Sequence, residues 1–406
     1  MTQVDKQELP EGLRWVKIGD IAEVATGGTP STTHPEYYGG SINWLKSGDV
    51  KGVYVNDVPN RITEEGLNNS NARVHPVGTV VLAMSGQGKT RGTSAILKIP
   101  SACSQSVAAI LPSSIAIPEI IHFALVAQYS EVRRLTGDNE RTGLNLGRVR
   151  DIHIPLPPLP EQQRITAILG EQMAAVDKAR AAVEQQLNAA KQLPAAYLRE
   201  VFESDEAKGW GRKKLGELCE FKNGINFDAT QKGIGVLTVD VLNMYSDSIT
   251  LKMDNLYRVD AKLDDQYYLR ENDMLFVRSS VKKEGIGWSA LFPGYSERVT
   301  FCGFLIRARL TKDILPSFIL YYLRQPMIRD WFASSAGQMA ITNISQEKLK
   351  SIEIPVPSIE TQQRIVTHLE RQTNETGQLQ NSVQTQLDSI NQLPAALLRR
   401  AFNGEL

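Results

Sequence analysis

Two loops in this sequence carry the residue types that grip phosphates and base edges. Ser85 to Ser94 reads SGQGKTRGTS, and Arg278 to Gly285 reads RSSVKKEG. Each follows a strand-like apolar run and mixes glycine, hydroxyl and cationic side chains. Such loops offer backbone amides, hydroxyls and cations to phosphate oxygens, and amide, guanidinium or ammonium groups to base edges. The candidate contacts are Gln87, Lys89, Thr90 and Arg91 in the first loop, and Arg278, Ser279, Ser280, Lys282 and Lys283 in the second. A charged, glycine-containing loop is usually only a solvated turn; its recurrence at the same place in both halves of the chain favours a functional role. Two more polar segments, TGGTPSTTHPEYYGG (Thr26 to Gly40) and WLKSGDVKG (Trp44 to Gly52), add Ser31, Thr32, Thr33, Lys46, Ser47 and Lys51. There Tyr37, Tyr38 and Trp44 offer flat faces or act as core anchors.

One reading of the first loop is set aside. Ala83 to Thr90 (AMSGQGKT) fits a relaxed phosphate-loop pattern. A phosphate loop must open a helix whose N-terminus faces the phosphates, whereas RGTSAILKIP reads as a second strand and ends at Pro100. The equivalent loop of the second half lacks the pattern. The chain has no glycine-rich dinucleotide loop, no Asn-Pro-Pro-aromatic segment, no GxSxG and no cluster of carboxylates suggesting a metal nuclease. Three cysteines and five histidines are scattered without metal-ligand or disulfide spacing, and the cysteines read as core residues. The expectation is a non-catalytic chain with no metal and no cofactor of its own.

The elements that must position these loops come in a repeat. Ile152 to Phe202 and Ile352 to Phe402 align without gaps, with 21 identical positions out of 51 at an offset of 200 residues. Each copy begins with a proline-rich lead-in, which is read as a junction because proline cannot continue a strand ladder and suits the first turn of a helix. About thirty residues of helical rhythm follow. A heptad seam runs through Ile165, Leu169, Gln172, Val176, Ala179, Val183, Gln186, Ala190 and Leu193, and through Ile365, Leu369, Gln372, Thr376, Leu379, Val383, Gln386, Ile390 and Leu393. The expectation is that the two helices pack on each other antiparallel, with Gln172, Gln372, Gln186 and Gln386 setting register, and that Pro194 and Pro394 kink or stop them. A helix from Glu161 to Gln192 would span roughly 48 Å at 1.5 Å per residue.

Before each helix lie strand-like runs (Val53 to Val55, Thr79 to Met84, Ser94 to Ile99 and Val107 to Leu111; then Val236 to Leu242, Asp273 to Arg278 and Arg298 to Leu310). Each half also contains one domain helix, Pro118 to Leu135 and Leu315 to Ser334. The fold class is α+β: two globular domains, at 1–157 and 204–357, separated by two long antiparallel helices at 158–203 and 358–406 that form a coiled-coil spacer with pseudo-two-fold symmetry. Forty-five basic and forty-five acidic side chains give no net charge, so a polyanion must meet a local patch. The polar, acidic N-terminus is unlike a signal peptide, and no apolar run spans a bilayer. A cytoplasmic location with no membrane partner is expected.

The chain resembles the specificity subunit of type I restriction-modification systems along essentially its whole length. The carriers are IPLPPLPEQQRI at Ile154 to Ile165 with its copy IPVPSIETQQRI at Ile354 to Ile365, the paired QLPAA segments at Gln192 and Gln392, and ITEEGLNNSNARVHPVGTVVLAMSG at Ile62 to Gly86. The second junction departs from the first in having Glu360-Thr361 where Pro160-Glu161 stands. The resemblance implies that each variable domain is a target recognition domain for one part of a split double-stranded DNA site, across a gap of fixed length. It also implies that the helices form the spacer and bind two methyltransferase subunits, with restriction or motor subunits joining for cleavage. S-adenosylmethionine, ATP and magnesium would then belong to the partners. Met173, Ala174, Ala181, Ala182, Tyr197, Leu198, Leu397 and Leu398 offer the apolar area for docking. The alternative is a two-domain scaffold that binds proteins and no specific DNA.

Overall fold

The first strand of each half returns to pair with its own proline-rich lead-in. In the computed structural model, which describes residues 12–86, 88–135, 144–246, 248–334 and 342–406, Arg14–Lys17 pairs antiparallel with His153–Leu156, and Arg212–Lys214 with Glu353–Pro355. The lead-ins therefore begin as strands, contrary to their reading as junctions alone. Pro155 and Pro355 are tolerated because both ribbons have two strands and every strand is an edge.

Contacts divide the chain into two compact units: residues 1–182 with 386–406, and residues 183–385. In the first unit a five-stranded sheet runs in the order Val24–Thr26, Val107–Ile110, Val80–Ala83, Ser94–Leu97, Tyr54–Val55. Four further strands, Arg61–Ile62, Tyr38–Leu45, Ser101–Cys103 and Val74–His75, form a second sheet. The second unit repeats the plan with four strands, Cys219–Asn223, Leu305–Leu310, Met274–Val277 and Ser289–Leu291, and with three, Tyr257–Val259, Lys232–Val239 and Val299–Phe301. Central strands such as VVLA at Val80–Ala83 and MLFV at Met274–Val277 are buried on both faces, which explains their continuous apolar runs.

The expected domain helices are each broken. Pro118–Ala127 is followed by Tyr129–Arg134 after Gln128, and Pro316–Leu323 by Pro326–Ser334. Arg298 to Leu310 is likewise two strands, Val299–Phe301 and Leu305–Leu310.

The two long helices, Leu159–Phe202 and Ile359–Phe402, have 44 residues each. Within each unit, the start of one packs beside the end of the other, which is antiparallel pairing. Ile165 and Leu169 share the first core with Leu398, Ala401 and Phe402. Ile365, Val366 and Leu369 share the second with Leu198 and Phe202. In the first unit Arg180 Nε donates to Asn391 Oδ1 at 2.9 Å.

Neither proline stops its helix. Proline removes the hydrogen bond to the carbonyl four residues back, and the carbonyl released by Pro194 is that of Ala190. Gln380 Nε2 of the opposing helix donates to it at 3.0 Å. The seam also drifts from strict heptads: Ala179, Leu379, Gln186 and Gln386 are exposed, while Leu187 is buried. An α-helix of 3.6 residues per turn rotates away from a 3.5-residue repeat unless it supercoils fully. Gln186 and Gln386 are therefore not register-setting seam residues, whereas Gln172 and Gln372 are half-buried.

The first glutamine of each QQRI segment ties helix to domain. Gln162 is 1 % exposed; its Oε1 accepts from the Ile117 amide at 2.9 Å, and its Nε2 donates to the carbonyls of Ile115 at 2.9 Å and Pro157 at 2.8 Å. Gln362 repeats this with the Leu315 amide and the Pro357 carbonyl, both at 2.9 Å.

Candidate nucleic-acid interface

Both candidate loops leave a central strand and end at a left-handed glycine. The Gly92 amide donates to the Ala83 carbonyl at 2.8 Å and the Gly287 amide to the Val277 carbonyl at 2.9 Å. Their φ angles are 86° and 63°, a region that side chains disfavour. After the first loop comes the strand Ser94–Leu97, not a helix, so the phosphate-loop geometry is absent there.

An arginine from the second domain helix holds each loop. Arg133 Nη1 donates to the carbonyls of Gly88 (2.7 Å) and Arg91 (3.1 Å), and Tyr129 Oη donates to the Lys89 carbonyl (2.6 Å). Arg329 Nη2 donates to the carbonyls of Glu284 (2.6 Å) and Ile286 (2.8 Å). The sequence reading missed both arginines. They lie about forty residues beyond the loops they hold, and only folding brings them there.

In the first unit three of the polar segments converge. Thr29, Thr32, Tyr38, Trp44, Lys46, Ser47, Gly48 and Ser85 line a cleft of about 420 Å³ together with Ser104, Gln105 and Ser106. Ser47 Oγ lies 2.8 Å from Ser106 Oγ and 3.4 Å from Ser85 Oγ. Trp44 is buried, with its indole N–H donating to the Gly28 carbonyl at 3.0 Å, so it anchors the loop and offers no free face. Lys46 stands exposed at the mouth, its ammonium 4.8 Å from the Trp44 ring centre. Ser31, Thr33, Lys51 and Lys89 are exposed but do not line the cleft, and Thr90 and Arg91 are half-buried. Gln87 lies outside the described residues. The run Ser104 to Ser106 gives no signal in the sequence, because three uncharged polar residues at a strand end carry no distinctive spacing.

In the second unit Lys282 and Lys283 are exposed, whereas Arg278, Ser279 and Ser280 are half-buried. Arg278 Nη1 reaches the Gly303 carbonyl at 3.4 Å, and Ser279 hydrogen-bonds to Asn343. The three cysteines are buried, and burial pushes each thiol up to about 12. No cluster of metal-ligating side chains occurs among the described residues. None of their helices is long and apolar enough to cross a membrane.

The proposed docking set divides. Leu198 and Leu398, 8 % and 1 % exposed, complete the hydrophobic cores of their units and cannot serve as free surface. Met173 and Leu397 pack partly against the first core and Tyr197 against the second. Ala174, Ala181 and Ala182 are exposed.

This repeated frame coincides with a known one. The type I restriction modification DNA specificity domain matches the chain twice, over residues 10–189 and 207–388. The chain belongs to that family. With two such domains in tandem it is a type I specificity subunit, the DNA-recognition component of a restriction-modification system. It is 25% identical to the EcoKI specificity subunit of Escherichia coli K12, over 98% of this chain and 90% of that one. It is 23% identical to the StySPI specificity subunit of Salmonella potsdam, over 99% and 91%. Two solved structures share its fold. A chain from a type I restriction-modification system superposes with a TM-score of 0.79 at 22% identity, over 98% of this chain and all of that one. The HsdS subunit of Thermoanaerobacter tengcongensis superposes with a TM-score of 0.64, also at 22% identity, over 99% of each chain.

Proposed function

We propose that this specificity subunit reads the two parts of a split DNA site with the loops described above, one part per domain, and contributes no chemistry itself. The observation that carries this is the pair of loops, one in each half, that leave equivalent strands, end at equivalent glycines and are held by equivalent arginines yet bear unlike side chains. A frame built twice with its exposed residues changed suits one task performed on two different sequences. Lys46, Lys89, Lys282 and Lys283 supply local positive charge in a chain with no net charge, and phosphate contacts fix register while base contacts specify.

The methyl transfer and any cleavage belong to partner chains in the cytoplasm: two methyltransferase subunits and, for restriction, motor-nuclease subunits. Those chains would bind S-adenosylmethionine, ATP and magnesium. Ala174, Ala181 and Ala182, exposed on the first long helix, are the remaining docking candidates. The test is to assemble the chain with its methyltransferase partner and map the modified adenines. Methylation confined to a split motif with a constant gap is expected, and methylation without sequence preference overturns the reading.

A further inference from the structure

Three loop positions that are polar or bare in the first domain are apolar and exposed in the second. Register establishes the equivalence. Val107 pairs with Ala83 as Leu305 pairs with Val277. The Met84 amide donates to the Ser106 carbonyl as the Arg278 amide donates to the Phe304 carbonyl, both at 2.8 Å. Phe304 therefore stands where Ser106 stands, and Val281 lies four residues past its strand, as Gln87 does. The Ser104 amide donates to the Leu45 carbonyl at 2.9 Å and the Cys302 amide to the Val239 carbonyl at 3.0 Å. Counting on from those carbonyls sets Leu242 against Gly48.

Leu242 is 81 % exposed, Val281 82 % and Phe304 59 %. Single exposed apolar side chains are ordinary on a protein surface. Here all three stand at loop positions whose first-domain counterparts are polar or bare, and Val281 is followed directly by the exposed Lys282 and Lys283. Their loops are also tied together. A Cβ added at Gly285 would lie 2.5 Å from both Ser280 Oγ and Tyr245 Oη, so the turn bearing Leu242 and the loop bearing Val281 meet at one glycine. Trp288 Nε1 donates to the Met244 carbonyl at 2.9 Å, which fixes the same turn.

We propose that Leu242, Val281 and Phe304 determine the specificity of the second domain by packing on the 5-methyl group of thymine. This rests on the reading of that domain as a DNA reader. In the major groove only an A·T pair presents a methyl group, and apolar side chains are its complement. The neighbouring lysines supply the phosphate contacts that hold the loop in the groove. In the first domain Lys46, Ser47 and Ser106 occupy the matching region with hydrogen-bonding groups, so its half-site is read differently.

The experiment uses the subunit assembled with its methyltransferase and the site found by adenine mapping. Binding is measured to duplexes in which each thymine is replaced singly by uracil, which removes only the methyl group. One or two replacements, all in one half-site, are expected to weaken binding about fourfold. L242A, V281S and F304S are then expected to abolish that sensitivity and relax the base preference at the same positions, leaving the other half-site intact. Indifference to every uracil, or unchanged preference in the triple variant, overturns the proposal. So does loss of methyltransferase co-purification with DNA preference retained, which would make these side chains protein-docking residues. A wild-type complex with no sequence preference at all would instead remove the underlying reading.

Discussion

At the scale of single residues, the side chains that hold the loops matter as much as those the loops expose. Arg133 and Arg329 each satisfy two loop carbonyls. Burial pushes the Arg329 guanidinium down to about 10, which leaves it charged at neutral pH, and it lies over the rings of Trp288 and Phe332 at 5.3 and 5.2 Å. Arg329→Ala is expected to cost about 1–3 kcal/mol, the range for stranding buried hydrogen-bonding groups. It should also blur the base preference of the second half-site alone. Denaturation and methylation mapping on the same variant check both effects. A stability loss with both half-sites read as before would show that the arginine supports the fold and not the reading.

At the scale of elements, the polar residues inside the helices make joints. Gln162 and Gln362 close the angle between each long helix and its domain, and Gln380 caps the carbonyl that Pro194 leaves without an amide. Gln162→Leu keeps the volume but strands an amide and two carbonyls, and is expected to destabilise by about 1–3 kcal/mol in chemical denaturation. Gln380→Ala should cost about 1 kcal/mol, and Pro194→Ala, which restores the missing amide, should make that second substitution nearly neutral. Equal costs for Gln380→Ala in both backgrounds would mean that the contact is not compensating the proline.

At the scale of the whole molecule, each long helix begins in one unit and ends in the other. Residues inserted near Ala181, or near its counterpart Asn381, alter the connection between the two readers and no loop within either. Four inserted residues add roughly 6 Å of helix. The expected result is a gap longer by one or two base pairs with both half-sites unchanged, read from the modified motif of the assembled complex. A changed half-site with a constant gap would show that the helices do not set the spacing.

The sequence by itself determined the repeat, the α+β texture of both halves, the long helices and the rank of the loops as candidate contacts. All of these are linear properties, visible as self-similarity, periodicity and clusters of residue types. Only the tertiary structure decided which of those residues stand free. Leu198 and Leu398 read as surface because helical periodicity says which residues share a face, not what covers it; distant strands and helices bury both. Trp44 is an anchor because Gly28 lies beside it, and the carbonyl that Pro194 leaves without an amide finds its donor in Gln380, 186 positions later. Leu242, Val281 and Phe304 sit in separate stretches of chain with no shared spacing, and only the pairing of strands aligns Phe304 with the polar Ser106 of the first domain and sets the frame from which the other two are counted. Exposure and partnership depend on contacts between residues far apart in the chain, and no local pattern encodes them.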